Sequence, residues 1–303
     1  MNIPSAINGK QLTVTRGLFR ICRLRDEYYE FVHDPSDFVR QIKACGKPAA
    51  NVFTFIQELI DPIPRFAYHL EWDSAAVLNL TTFEHWWKKQ INDKTRNMVR
   101  KAQKAGVEMR LAEFNDELIR GIKIIYNESP VRQGRPFRHY GKDHETIHRE
   151  HATFLDRGQF LGAYFNGQLI GFAKVVHGQH VSSLMNIISL ICQRDKAPTN
   201  ALIAKAVEIC ADRRVTCLHY GTGNIRSIGD FKKHHAFTEL LVPRYFVPLN
   251  LRGSAILKLG CHKRLEDMIP SFCREWAREA RGKWIAFRFR RQRKVAAIAP
   301  SGG

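Results

Sequence analysis

The segment GAYFNGQLIGFAKVV, Gly162–Val176, decides the fold class. It holds two apolar runs separated by Asn166-Gly167, and Asn-Gly between such runs is the strongest short-range signal for a β-hairpin. A third apolar run, Val181–Ile191, follows, and Thr199–Asp212 then shows the apolar face of a helix. The sequence therefore predicts three successive strands and a helix that packs on them.

The pattern extends outward from this hairpin. Between Val107 and Leu249 the order is strand, helix, loop, helix, three strands, helix, strand, helix and strand. That order predicts an α/β (α+β) fold with a mixed, mainly antiparallel central sheet flanked by helices. Upstream, Thr82 is a predicted N-cap of one helix that runs to Gly106, and two strands are expected to flank a turn at Asp73 and Ser74.

The positive charge is concentrated in three segments. The chain has 48 Lys+Arg and 29 Asp+Glu, a net charge of +19. Residues 83–110 carry eight basic and three acidic residues, residues 129–142 four and none, and residues 251–303 thirteen and four. The remainder is nearly neutral, which points to an anionic partner: a phosphorylated or anionic small molecule, nucleic acid or an anionic membrane surface.

Several classes of protein are excluded or disfavoured by what the sequence lacks. It contains no run of 18 apolar residues, so no transmembrane segment is predicted. Its seven cysteines are scattered, without C-x-x-C pairs, which disfavours a disulfide framework or a zinc ribbon and favours a reducing, cytoplasmic location. The G-x-S-x-G, H-E-x-x-H and P-loop patterns are missing, so hydrolase and NTPase functions have no support.

Two further segments resemble a known family. LHYGTGNIRSIGDFKKHHAF, Leu218–Phe237, places Asn224 after a strand and Phe231-Lys232 seven residues later; WWKKQINDKTRNMVRKAQKAGVEMR, Trp86–Arg110, is a basic helix before the main domain. Together with the hairpin they resemble the Gcn5-related N-acyltransferase (GNAT) superfamily, and within it the Fem-like branch. The resemblance covers about half of the chain and implies the GNAT-like acyl-CoA N-acyltransferase fold. We expect an N-terminal α/β region over residues 1–82 that includes a partial or degenerate GNAT half, a GNAT-like domain over 83–250, and a basic amphipathic extension over 251–303.

The resemblance implies roles for residues in the segment Leu218–Phe237. Asn224 and Lys232 match its signature positions, and Lys232 is expected to stabilise negative charge on a leaving group, because Phe231 replaces the family's tyrosine acid. Glu128 and His139 are candidate general bases, chosen for their position beside a loop. Asn186 and Tyr220 are expected to line the acyl site, although Asn186 is equally compatible with a hydrogen-bonded core residue.

The donor loop departs from the family pattern. Acetyl-CoA enzymes place a glycine-rich loop before the donor helix so that backbone N–H groups surround the pyrophosphate. Here the loop reads QRDKAPTNAL, Gln193–Leu202, without glycine. Thr199 or Asn200 is expected to cap the helix, and the expected donor contacts are Gln193, Arg194, Thr199 and Asn200. Acyl-CoA and aminoacyl-tRNA both remain open as donors.

Two basic clusters are candidate substrate-binding surfaces. The helix offers Lys94, Arg96, Arg100 and Lys101, with Lys104 beyond them, and the loop Ser129–Gly141 offers Arg132, Arg135, Arg138 and Tyr140. Arginine forks suit phosphate and carboxylate groups. A solvated helix face and a plain surface loop are the competing interpretations. His144, His148 and His151 share a helical face, but no other ligand accompanies them and no metal is expected.

The sequence thus predicts a cytoplasmic N-acyltransferase that moves an acyl group from an acyl-CoA or similar thioester to an amine. An aminoacyl-tRNA-dependent aminoacyltransferase on the same scaffold is one alternative, and a non-catalytic polyanion-binding protein is another. The amphipathic C-terminal end could contact an anionic membrane, tRNA or its own domain, and residues 282–303 are predicted to be dispensable for folding.

Overall fold

The computed structural model describes residues 6–15, 18–45, 50–222, 229–262 and 279–289. One sheet of eleven strands runs through this part of the chain in the order β1-β2-β3-β4-β13-β5-β12-β11-β10-β9-β6. Its strands are β1 Ala6–Ile7, β2 Lys10–Val14, β3 Ile21–Leu24, β4 Val52–Ile56, β5 His69–Asn79, β6 Glu108–Ala112, β9 Gly158–Phe165, β10 Gln168–His177, β11 Val181–Ser189, β12 Cys217–Thr222 and β13 Thr238–Pro248. A separate two-stranded hairpin joins β7 Val131–Arg132 to β8 Arg135–Pro136.

Eight named helices lie within the described residues: α1 Pro35–Ala44, α2 Phe83–His85, α3 Asp93–Lys104, α4 Asp116–Asn127, α5 His144–His151, α6 Pro198–Asp212, α7 Gly229–His234 and α8 Leu251–Lys258. A π-helix spans Trp86–Gln90, a 3-10 helix spans Ile191–Lys196, and a further helix covers residues 279–289. The mixed, mostly antiparallel sheet flanked by helices confirms the predicted fold class; its two parallel pairs among these strands are β3 with β4 and β11 with β12.

The predicted hairpin is present and its turn explains the sequence. β9 and β10 pair antiparallel around Asn166 and Gly167, which both have positive φ, 49° and 75°. Two consecutive left-handed residues are the requirement of a type I′ turn, whose twist matches that of the strands.

Helices cover both faces of the sheet around this hairpin. Ala173 and Val175 of β10 pack with α3 and α6 in one apolar core, whereas Phe172 packs with α4 and α5 in another. Side chains alternate along a strand, so these neighbours must point to opposite faces. β10 is therefore buried on both sides, which explains why its sequence is apolar almost throughout.

Two sequence predictions upstream are wrong. The turn expected at Asp73 and Ser74 does not form, because β5 continues through both residues from His69 to Asn79. The helix expected from Thr82 to Gly106 breaks at Ile91 and restarts with Asn92, whose side chain accepts a hydrogen bond from the Thr95 N–H.

The sheet is continuous across the predicted boundary at residue 82. β5, from the N-terminal region, lies between β13 and β12, and β4 pairs with the outer edge of β13. Among the described residues, no helix has the length and apolar character needed to cross a membrane.

Candidate active site at the opening between β11 and β12

β11 and β12 separate partway along their length. Their parallel pairing runs from Val181 with Cys217 to Ser183 with His219, and both strands then continue unpaired with each other, to Ser189 and Thr222. Beyond the paired part, Met185 to Ile188 of β11 are only partly buried. The sheet therefore contains a wedge-shaped opening with a strand edge on each side.

A β-bulge marks the start of the opening. On β11, Leu184 pairs with Val175 and Asn186 with Lys174, so Met185 is the extra residue. Bulges locally disrupt the ladder and redirect a strand. This bulge places the partly buried Asn186 at the opening.

Lys232 of α7 holds the free end of β12. Its buried Nζ donates to the carbonyl oxygens of Tyr220 (2.7 Å) and Thr222 (2.9 Å), and it lies 4.7 Å from the centre of the Tyr220 ring. Burial lowers the pKa of Lys232 to about 8 and raises that of Tyr220 to about 12. Both residues thus lie at the opening, whereas the other signature residue, Asn224, falls outside the described residues.

The start of α6 differs from the predicted capping. Its N-cap is Ala197, in the left-handed conformation with φ 52°, and no side chain caps the helix. Pro198 occupies the first turn and has no N–H to offer. Thr199 instead uses its Oγ1 to contact Ser189 Oγ at 2.8 Å, so the prediction that Thr199 or Asn200 caps α6 is wrong.

The carboxylate of Glu128 binds backbone N–H groups in the segment that precedes α6. Its carboxylate accepts hydrogen bonds from the N–H groups of Ile191 (2.6 Å) and Cys192 (2.8 Å) and from Arg132 (3.1 Å). Arg132 also donates to the carbonyl oxygens of Ser189 (2.7 Å) and Ile125 (2.6 Å). These contacts give both residues a positioning role: they tie the basic loop and α4 to the end of β11.

The remaining donor candidates differ in exposure. Arg194 is exposed, Gln193 and Asn200 are partly buried, and the Gln193 Oε1 atom is buried without a hydrogen-bond partner. A buried amide oxygen without a donor is uncommon in folded proteins. Gln193 is therefore the donor-loop residue with unused hydrogen-bonding capacity.

The other candidate base, His139, also has side-chain partners at both of its ring nitrogens. It is buried, with Arg138 Nε 2.9 Å from its Nε2 and Lys142 Nζ 3.0 Å from its Nδ1. Burial, with Lys142 and Arg138 adding to it, lowers its pKa to about 4. The imidazole is thus neutral and weakly basic at physiological pH.

The helix over residues 279–289 lies on the basic loop. A Cβ atom at Gly282 would lie 1.9 Å from the carbonyl oxygen of Gly134 and 3.4 Å from the Cα of Arg135, so only glycine allows this approach. Tyr140 makes an edge contact with Phe289 at 5.8 Å. The loop is therefore partly covered, although Arg138 and Tyr140 remain exposed.

The basic residues of α3 divide into two groups. Lys94, Arg100, Lys101 and Lys104 are exposed on the surface. Arg96 is different: it pairs with Asp93 at 2.8 Å and donates to the carbonyl oxygens of Trp87 and Ile91, both at 2.7 Å. Arg96 thus fixes the break before α3, and the four exposed cations form the surface available to an anion.

Sequence reasoning missed a buried polar group on β10, the strand that pairs with β11 on the edge away from the opening. Lys174, opposite Asn186, is fully buried, and its Nζ donates to the carbonyl oxygens of His151 (2.8 Å) and Thr153. Burial lowers its pKa to about 8. A single lysine within the apolar run IGFAKVV was the available signal. The three histidines of α5 do not converge: His144 is near Asp116, His148 packs on Phe114 and His151 on Tyr126.

Two grooves, of about 430 and 540 Å³, lie outside the opening between β11 and β12. The first is lined by the end of β5, Gln90, Lys233 of α7 and the residues that lead into β13. The second is lined by the end of β5 and the starts of β12 and β13, and neither includes a residue of β11. Asn186 and Tyr220 lie instead on the two strands that flank the opening.

Comparisons with known proteins place this geometry in context. By sequence, no family model matches the chain, and no curated protein does. Solved structures match at probability 1.00: L-PGS from Bacillus licheniformis (14% identity, 82% of this chain and 83% of that one, TM-score 0.52), the C-terminal domain of a putative lysylphosphatidylglycerol synthetase from Agrobacterium fabrum (13%, 86% and 86%, 0.51), and FemX (9%, 82% and 86%, 0.51).

The chain therefore has a GNAT-like fold, which it shares with these structures. The structural similarity to FemX confirms the Fem-like resemblance at the level of the fold.

Proposed function

We propose that this protein is an N-acyltransferase whose acyl donor binds in the opening between β11 and β12. The observation that carries the proposal is the separation of these strands beyond Ser183 and His219, with the bulge at Met185 on one side and Lys232 at the other. An unpaired strand edge presents backbone N–H groups, which are suitable donors for a developing oxyanion.

The reaction would proceed by direct attack. The acceptor amine forms a C–N bond to the acyl carbonyl carbon, the tetrahedral oxyanion collapses, and the bond to the donor's sulfur or oxygen breaks. The amine loses one proton and the leaving group gains one. Lys232, cationic below its pKa of about 8, would stabilise negative charge on the leaving group, and a residue other than the engaged Glu128 and His139 would accept the amine proton.

Two features favour a donor other than coenzyme A. Glu128 already occupies the N–H groups of Ile191 and Cys192, and its negative charge would repel a pyrophosphate at that position. Pro198 removes another donor at the start of α6. Aminoacyl-tRNA is therefore our preferred donor, ahead of acyl-CoA, and the exposed cations of α3 are its proposed phosphate contacts.

A non-catalytic polyanion-binding protein is the second candidate. The observation that favours it is the same surface of Lys94, Arg100, Lys101 and Lys104, which has the chemistry of a phosphate-binding face without requiring any reaction.

Mass spectrometry of the protein purified at low salt tests which partner it retains. A covalently activated acyl donor or charged tRNA would support the enzyme, and transfer of a labelled acyl group to an amine from that donor would establish the activity. A matched comparison is Lys94→Gln/Lys101→Gln/Lys104→Gln against Lys43→Gln/Arg120→Gln/Lys123→Gln, which removes the same charge from exposed positions outside the three basic segments. Steep, salt-dependent tRNA binding by a protein that transfers no acyl group would favour the second candidate.

A further inference from the structure

Three potential metal ligands converge beside β5, and none of them belongs to α5. His69 and Glu71 lie on β5, and His262 follows α8. The distance from Glu71 Oε1 to His262 Nε2 is 2.9 Å and to His69 Nε2 is 3.8 Å, and all three ligand atoms lie within 4.8 Å of one another.

The strand fixes two of these ligands in register. Residues two apart on a strand point to the same face, so His69 and Glu71 must project together. β13 supplies Phe246 directly opposite His69 in the register. The Phe246 ring lies 4.7 Å from that of His262 and 6.0 Å from that of His69, which holds both imidazoles beside the carboxylate.

His262 is the unusual member of this group. Its side chain is 2% exposed, and its Nδ1 atom is buried without a hydrogen-bond partner. Burying an imidazole with one nitrogen unsatisfied is unfavourable, typically by about 1–3 kcal/mol. Its Nε2 atom, which faces Glu71 at 2.9 Å, is the atom available to a metal ion, and a coordinate bond there would leave the proton of the imidazole on Nδ1.

We propose that His69, Glu71 and His262 bind a divalent transition-metal ion, with Zn²⁺ the best fit. Two imidazole nitrogens and a carboxylate oxygen are ligands that zinc accepts at about 2.0–2.2 Å, and tetrahedral geometry requires them to be roughly 3.3 Å apart. The observed spacing brackets that value. Since His69 is 42% exposed, solvent reaches the site and would supply the fourth ligand.

The proposed ion would have a structural role. It would join β5, in the middle of the sheet, to the segment that follows α8 within the C-terminal extension. This role is independent of acyl transfer, because the described ligands lie on β5 and after α8 and none belongs to the β11–β12 opening.

The test uses the full-length protein after treatment with a chelator. Titration with Zn²⁺ by calorimetry is expected to show one site per chain, and Co²⁺ is expected to produce visible absorption bands of a four- or five-coordinate site. Zn²⁺ should also raise the melting temperature, since a ligand that binds only the folded state stabilises it.

Substitutions distinguish this site from adventitious binding. His69→Ala, at an exposed position that folding does not require, and Glu71→Gln should each weaken Zn²⁺ binding by about tenfold or more. His144→Ala is the matched control, since His144 also faces a carboxylate, Asp116 at 3.7 Å, without belonging to a three-ligand group in the described residues. Absence of Zn²⁺ binding, or equal binding by wild type, His69→Ala and Glu71→Gln, would overturn the proposal.

Discussion

Lys232 is a buried cation whose two carbonyl partners lie at the end of β12. If it stabilises the leaving group, Lys232→Met should lower turnover by about tenfold or more while filling most of the same volume. Steady-state transfer rates and the melting temperature, measured on the same samples, check this. The smaller Lys232→Ala variant leaves a cavity, so it is expected to lose stability as well.

A purely structural Lys232 would give a different result. Turnover of the Lys232→Met variant, corrected for its folded fraction, would then equal that of the wild type. Lys205→Met, at a partly exposed lysine of α6 paired with Glu208, provides the control for loss of a lysine charge.

Glu128 is expected to matter for stability more than for proton transfer. Glu128→Gln removes the charge that compensates Arg132, whose side chain is 13% exposed, and breaking such a buried pair costs about 3–5 kcal/mol. Denaturant unfolding should therefore show a large loss. The double variant Glu128→Gln/Arg132→Met should recover part of it, since no uncompensated charge remains. Full stability with abolished activity in Glu128→Gln would instead identify a general base.

The buried histidines make the protein sensitive to acid. Burial, with Lys174 adding to it, lowers the pKa of His151 to about 4, and burial lowers those of His177, His219 and His235 similarly. The unfolded chain, with pKa near 6.5, binds more protons between pH 6.5 and 4, so stability is complete above pH 6.5 and falls as the pH falls through this window.

The contribution of one histidine, His151, to this loss of stability at low pH can be measured. His151→Phe should flatten the dependence of unfolding free energy on pH by up to about 3 kcal/mol between pH 6.5 and 4. Phe172→Leu, a neighbouring core change without a titrating group, should shift stability equally at every pH. An unchanged slope in His151→Phe would contradict the assignment.

At the scale of elements, the start of α6 is the basis for a prediction about the donor. The loop lacks glycine, Pro198 lacks an N–H, and Glu128 occupies two neighbouring N–H groups. We therefore expect weak or undetectable binding of acetyl-CoA by calorimetry. A tight isotherm with one site per chain would contradict this and would restore acyl-CoA as the preferred donor.

The elements also show which features a sequence reveals. The Asn166-Gly167 hairpin was predictable because its turn type depends on those two residues alone. The course of β5 through Asp73 was not, because Asp73 is held by Arg244 and Tyr28, which are distant in sequence. The cap of α6 was missed for a similar reason: Thr199 is engaged by Ser189 on the preceding strand.

The candidate site was predictable only in part. Its strands follow from local patterns and Lys232 from the family resemblance. The backbone contacts of Glu128, Arg132 and Arg96, by contrast, depend on how separate elements meet. The His69–Glu71 pair was visible as an i, i+2 pattern on a strand, but its third member, His262, is almost two hundred residues away.

At the scale of the whole molecule, the C-terminal helix joins two of the three basic segments. Residues 279–289 pack on the loop through Gly282, which is the only fully buried position among those eleven, while Trp284 and Phe287 are exposed. Removal of residues 282–303 should therefore change the melting temperature by no more than about 3 °C, since little apolar surface is uncovered.

The same truncation should weaken binding to tRNA and to anionic vesicles at low salt. Residues 282–303 contain Lys and Arg at six positions, and each phosphate contact that is lost should reduce the steepness of the salt dependence by about one unit. Gly282→Ala separates docking from charge: even one methyl group is incompatible with the Gly134 carbonyl, yet every cation remains. This variant should keep its affinity for tRNA if charge alone matters, and lose it if the helix must be fixed on the loop. Unfolding of the truncated protein would show that residues 282–303 belong to the core. Unchanged binding would leave α3 as the sole anion site among the tested segments.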